Sequence, residues 1–82
     1  MELQDTVKWM NSEDYKERFK AEYHQLKIRH DGLKYMLHKW DKGELEIEPK
    51  SPKNVYSQQL ASMTNYLSVL EYRAYLEKIK LN

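Results

Sequence analysis

Three of the four glycine and proline residues of this chain, Gly43, Pro49 and Pro52, fall in one charged segment, WDKGELEIEPKSPKN, at positions 40–54. Glycine and proline are the strongest interrupters of helix. Gathering them near the middle leaves a long stretch on either side free to be helical. Lys39, Trp40, Asp41 and Lys42 before Gly43 have the composition of a helix end, with basic residues in the last turn and glycine just beyond. Ser51 followed by Pro52 has the form of a helix start, a hydroxyl cap and then proline at the first helical position. Between them Leu45 and Ile47 alternate with Glu44, Glu46 and Glu48, a period of two that suits a short extended stub. The expected stub tucks its two apolar side chains over the mouth of a helical hairpin, and Pro49 keeps it from growing into a central strand.

Both flanks carry helical periodicity. Asn11-Ser12-Glu13-Asp14 predicts a capped start, with acidic residues at the positive end of the helix dipole. Tyr15, Phe19, Tyr23, Leu26, His30, Leu33, Leu37 and Trp40 then form a seam whose later spacings alternate three and four. Asp14 and Arg18 are spaced to pair across one turn. Gly32 interrupts composition but not periodicity, at a cost of about 1 kcal/mol relative to Ala; close approach of another backbone would explain it. The second flank repeats the pattern with Tyr56, Leu60, Met63, Leu67, Leu70 and Ala74. The fold expectation is therefore all-α: an N-terminal arm or short helix at 1–11, then a hairpin domain at 12–82 with antiparallel helices of about 12–42 and 52–80.

Val69, Tyr72, Leu76 and Ile79 lie opposite the second seam at 3.6 residues per turn. A helix apolar on two faces is buried on two faces, and one partner helix covers only one of them. Eighty-two residues support a small core, for which the usual remedies are disulfides, a metal or association. Cysteine is absent, which removes disulfides and thiolate metal sites. A homo-oligomer is expected, with those four residues as its interface.

Fourteen basic and thirteen acidic residues are interleaved through the same segments. That is the pattern of a solvated helix surface, not of a DNA- or RNA-binding face. No apolar run reaches the roughly 20 residues that cross a bilayer, and the N-terminus lacks the regions of a signal peptide. A cytoplasmic protein that begins at Met1 or Met10 is expected, with no membrane partner. His24, His30 and His38 have no metal-ligand spacing, and there is no nucleophile motif, phosphate loop or carboxylate pair. No catalytic residue, metal or cofactor is expected.

Binding is the remaining class of function. Tyrosines, Tyr66 among them, suit half-buried interfaces and can also stack on nucleobases. Arg73 carries a five-donor fork that suits phosphate, or a salt bridge to a glutamate of another subunit. Lys50 and Lys53 flank a helix N-terminus, where dipole and side chains both favour an anion; simple capping and solubility are the plainer explanation.

Several segments also carry a family resemblance: Tyr15-Lys16-Glu17-Arg18-Phe19, Glu22-Tyr23-His24-Gln25-Leu26, Gly43-Glu44-Leu45, and Met63 through Ala74. Over roughly residues 12 to 81 the chain resembles small phage and prophage proteins of Gram-positive bacteria. Its layout and its Arg73-Ala74 pair are similar to the helical-hairpin domain of phage anti-CBASS and anti-Thoeris nucleotide sponges. That resemblance implies a non-catalytic oligomer which holds an immune signalling nucleotide, such as a cyclic nucleotide, between subunits. Arg73, Tyr66, Lys50 and Lys53 are then the candidate contacts. The alternatives are an inhibitor or adaptor bound to a host defence or phage protein, and a small structural assembly part.

Overall fold

The computed structural model describes residues Met1–Asn82, and every regular element in it is helical. A 3-10 turn at Leu3–Thr6 runs into α1 (Val7–Met10), followed by α2 (Tyr15–Asp41) and α3 (Lys53–Glu77). The two long helices form an elongated antiparallel hairpin within a molecule of 43 × 24 × 18 Å. Tyr15 meets Glu77, Tyr23 meets Glu71, His30 meets Thr64, and Asp41 meets Lys53, so the register holds from end to end.

Helix α2 starts one turn into the expected signal. Asp14 is the cap and accepts the Lys16 N–H at 2.9 Å, while Ser12 accepts the Asp14 N–H and donates to Glu17. Arg18 is not paired with Asp14; its Nη1 donates to the Ser12 carbonyl at 2.9 Å. The helix stops at Gly43 as its composition predicts. Gly43 takes a left-handed φ of 71°, and the Glu44 N–H reaches back to the Lys39 carbonyl at 2.9 Å. This 6→1 bond satisfies a carbonyl that the helix end would leave unpaired.

The connection differs from its expectation. It contains no strand, Leu45 is half-buried and Ile47 is exposed, so only one of the two apolar side chains tucks in. Pro52, not Ser51, is the cap of α3: its extended ψ of 148° lets its carbonyl accept the Val55 N–H. Nothing lies within 4 Å of a Cβ built on Gly32, so no backbone of this chain approaches there.

The far end of α3 gives the largest correction. The helix ends at Glu77 because Lys78 adopts the left-handed conformation, with φ 59° and ψ 44°. The Ile79 N–H then bonds the Ala74 carbonyl at 2.9 Å, and the Ile79 side chain packs into the same cluster as Ala74. An apolar residue at this position of the turn commonly closes such a motif. Ile79 is 7% exposed and belongs to the hairpin's own core, not to an outer face.

That core consists of Phe19 and Tyr23 from α2, Leu67, Leu70 and Ala74 from α3, and Ile79, with Leu26 and Leu81 against it. It sits at the end remote from the connection. Toward the connection the seam is half-buried apart from Leu37, with Trp40 edge-on to Tyr56 at 6.1 Å. The N-terminal segment is a docked short helix that packs on α2 alone. Thr6 is wholly buried and accepts from Gln25 Nε2 at 2.8 Å, and Trp9 lies against His24 at 5.4 Å between ring centres. His24 in turn donates to the Leu81 carbonyl, which ties down the C-terminal tail. No helix is long and apolar enough to cross a membrane.

Candidate functional site

Two edges run along the hairpin where α2 and α3 meet. On one, His30 stands between Asp31 Oδ1 and the Thr64 hydroxyl, 2.9 Å from each. The imidazole holds the Asp31 carboxyl below the usual carboxylate range; burial opposes this, and Lys27 adds to the lowering. The order Asp–His–Thr has the outline of a nucleophile relay, but the surroundings do not supply the chemistry. Thr64 donates its proton to the Leu60 carbonyl at 2.9 Å and lies in mid-helix. Mid-helix backbone N–H groups are all bonded, so none is free to stabilise an oxyanion. The chain of bonds fastens one helix to the other. Tyr23 does the same further along, donating to Glu71 at 2.8 Å; burial first and that carboxylate second push its hydroxyl up to about 12.

The other edge carries Tyr66 and Arg73, which are seven residues apart and so within about 20° on the α3 surface. Tyr66 donates to the Glu22 carboxylate, and this bond raises the phenol's pKa above its ordinary value. Arg73 donates from Nε to Glu77 at 3.1 Å and from Nη2 to the Tyr15 hydroxyl at 2.8 Å, and its guanidinium lies 5.0 Å from the Phe19 ring centre. The glutamate that neutralises Arg73 is therefore on its own helix. Tyr15 also donates to Glu77, which holds that carboxyl below its usual range.

Between this edge and the docked N-terminal segment lies a groove of about 400 Å³. Met10 forms one wall and Tyr66 the other, over a floor that includes Ala21, Gln25 and Leu26. Arg18, Glu22 and Arg29 also line it. These three are residues that composition alone presents as solvated surface. The signal that could have singled them out is their spacing of four and seven, which puts them on one side of α2.

Lys50 and Lys53 lie elsewhere. Lys50 is exposed in the connection; Lys53 pairs with Asp41 and sits over the Trp40 ring. Thirteen residues of helix separate Lys53 from Tyr66, about 20 Å along the axis, so a single chain does not join them. Of the four outer-face candidates, Val69, Tyr72 and Leu76 are 48%, 63% and 57% exposed and form one row on α3. Ile79 leaves the set because the left-handed turn at Lys78 buries it.

These features define a small helical hairpin with an open apolar row and a charged groove. The chain belongs to the Sequestin family, whose model matches residues 13–76 and so covers both long helices. No curated protein and no solved structure matches it.

Proposed function

We propose that this protein is a non-enzymatic phage accessory protein, a sponge that sequesters an immune signalling nucleotide in the cytoplasm of the host cell. The observation that carries this reading is the family match, because it spans both hairpin helices and its name denotes sequestration. The geometry agrees with holding over turnover: Tyr66 and Arg73 share one edge, and the one histidine relay is committed to fastening helices. Tyr66 offers a ring for a base and Arg73 a guanidinium for a phosphate. Val69, Tyr72 and Leu76 are the self-association face. The Tyr66–Arg73 edge adjoins that row on the α3 surface, so a ligand held there borders a second copy packed across the row, while Lys50 and Lys53 lie away from it.

Sedimentation of the purified protein, followed by calorimetry with a panel of cyclic di- and trinucleotides, tests both parts. An oligomer that Val69→Glu or Leu76→Glu dissociates, and micromolar or tighter binding of a panel member, are expected. A monomeric wild type removes the assembly. Failure of the whole panel to bind removes the sponge. The second reading then takes its place: the row of Val69, Tyr72 and Leu76, exposed and uncharged, docks a host or phage protein that the hairpin inhibits or adapts.

A further inference from the structure

From Asn54 to Leu70 helix α3 carries no charged residue, in a chain of which 33% is charged. The exposed side of α2 reads the opposite way, with Lys16, Glu22, Arg29, Asp31 and Lys34 all in water. A solvated helix face is ordinarily charged, so the outer side of α3 has the composition of a face that meets protein. Its outermost strip has Asn65 at the middle. Toward the connection the strip continues through Ala61, Gln58 and Asn54; toward the C-terminus it continues through Val69, Tyr72 and Leu76, and all of these are exposed. At 100° per residue they lie within an arc of about 80°, opposite the seam residues Leu67, Leu70 and Ala74. The strip is symmetric about Asn65, with a member four, seven and eleven residues away on each side. The two halves differ in bulk: Val69, Tyr72 and Leu76 are large and apolar, and their counterparts Ala61, Gln58 and Asn54 are smaller.

Equal distances on either side of one residue are what an antiparallel two-fold pairing of identical helices requires, since each residue then meets the one equally far from the axis on the other copy. We infer that α3 of a second copy packs antiparallel along this whole strip, with the two-fold axis at Asn65. Val69 of each copy then lies over Ala61 of the other, Tyr72 over Gln58, and Leu76 over Asn54, so a bulky residue meets a smaller one at every step. The two Asn65 amides meet on the axis, where each donates to the other's carbonyl oxygen; a polar pair of this kind fixes register. Length separates this arrangement from a pairing of the apolar row with itself. Val69 to Leu76 spans about 10 Å of helix, and Asn54 to Leu76 about 33 Å. An ordinary dimer buries roughly 800 Å² on each side, which needs the longer contact. Pairing the row with itself also leaves the uncharged half of α3 in water. A different protein laid on this face has no need of a strip symmetric about one residue. The Tyr66–Arg73 edge lies about 90° round α3 from the strip and stays at its rim. This inference rests on the self-association reading and does not depend on the nucleotide.

The chain has no cysteine, so single introduced thiols report the register. Asn65→Cys is expected to form a disulfide-linked dimer on mild oxidation, because residues on the axis approach within disulfide range. Gln58→Cys and Tyr72→Cys are each expected to stay unlinked alone and to link after the two are mixed and re-equilibrated. In sedimentation, Ala61→Glu is expected to weaken dimerisation at least tenfold, since it buries a charge without a partner. Gln59→Glu, exposed on the same helix but off the strip, is expected to leave it unchanged. Circular dichroism is expected to show wild-type helicity for all of these exposed-site variants. Self-linking of Tyr72→Cys without linking of Asn65→Cys puts the axis at the apolar row; it overturns this register and leaves self-association intact. A wild-type dimer that Ala61→Glu does not weaken overturns the strip. A monomeric wild type overturns this pairing and the self-association reading together, whether or not a nucleotide binds.

Discussion

Helix α2 is covered on two sides by its own chain, and α3 on one. The N-terminal segment closes the back of α2 through Thr6, Trp9, Ala21, His24 and Gln25, which are mostly small or polar. The back of α3 is left open, and it carries Val69, Tyr72 and Leu76. The more apolar second face is thus the uncovered one. Apolar content marks a face that water disfavours, but a short segment can be docked by a few well-satisfied polar contacts instead. The second face of α2 is covered within the chain, whereas that of α3 keeps its apolar area exposed.

The adjacent residues Leu70 and Val69 test this contrast most severely. Leu70 is 1% exposed, so Leu70→Ala is expected to cost about 2–5 kcal/mol by chemical denaturation, a large share of the stability of so small a domain. Val69→Ala is expected to change the stability of the isolated chain by about 0.5 kcal/mol or less while weakening self-association. Equal effects of the two on an isolated monomer would mean that the faces of α3 are not distinct.

On the α2 side, Thr6→Ala removes a buried hydroxyl that accepts from Gln25 and donates to the Leu3 carbonyl. The expected loss is about 1–3 kcal/mol, with faster amide exchange confined to residues 3–10. Unchanged exchange there would show that the segment is held by Trp9 and not by Thr6.

Tyr23→Phe probes the seam between the two helices. The Tyr23 pKa is raised in the folded protein, so its contribution is complete below the unfolded value near 10 and is lost as pH rises through about 12. The variant is expected to lose about 1 kcal/mol at neutral pH and to show a shallower decline in stability over that alkaline window. An identical alkaline profile would exclude Tyr23 as its source.

The smallest effect is expected at Gly32. It is exposed within α2 and has open space where a Cβ would sit, so Gly32→Ala is expected to stabilise the chain by up to about 1 kcal/mol. If the melting temperature falls at high protein concentration only, another copy's backbone approaches there and α2 also contributes to the assembly.

Much of the hairpin is legible in the sequence because its causes are local. Breakers near the middle, a glycine able to take positive φ at position 43, and two seams with matching three–four spacing specify two antiparallel helices and their register. The tyrosines and Arg73 are likewise visible as candidates, and Tyr66 and Arg73 do share an edge. Local causes run out at Lys78, where no glycine or asparagine announces the left-handed turn. The periodicity continues to Ile79, and the tertiary structure decides against it because burying Ile79 beside Ala74 outweighs the cost of holding lysine at positive φ.

The groove was decided in the same way. Arg18, Glu22 and Arg29 are ordinary helix-surface residues in composition, and a charge on a helix acquires a role only when something faces it. Met10 and Tyr66 face them, from segments 19 or more residues away from Arg29, because the N-terminal segment docks on one side of α2 and α3 on the other. Sequence by itself determined which residues form helices and which stripe of each meets the other. Only the packing of the N-terminal segment and α3 around α2 decided which charges share a cavity and which apolar face remains open, because those depend on contacts between residues distant along the chain.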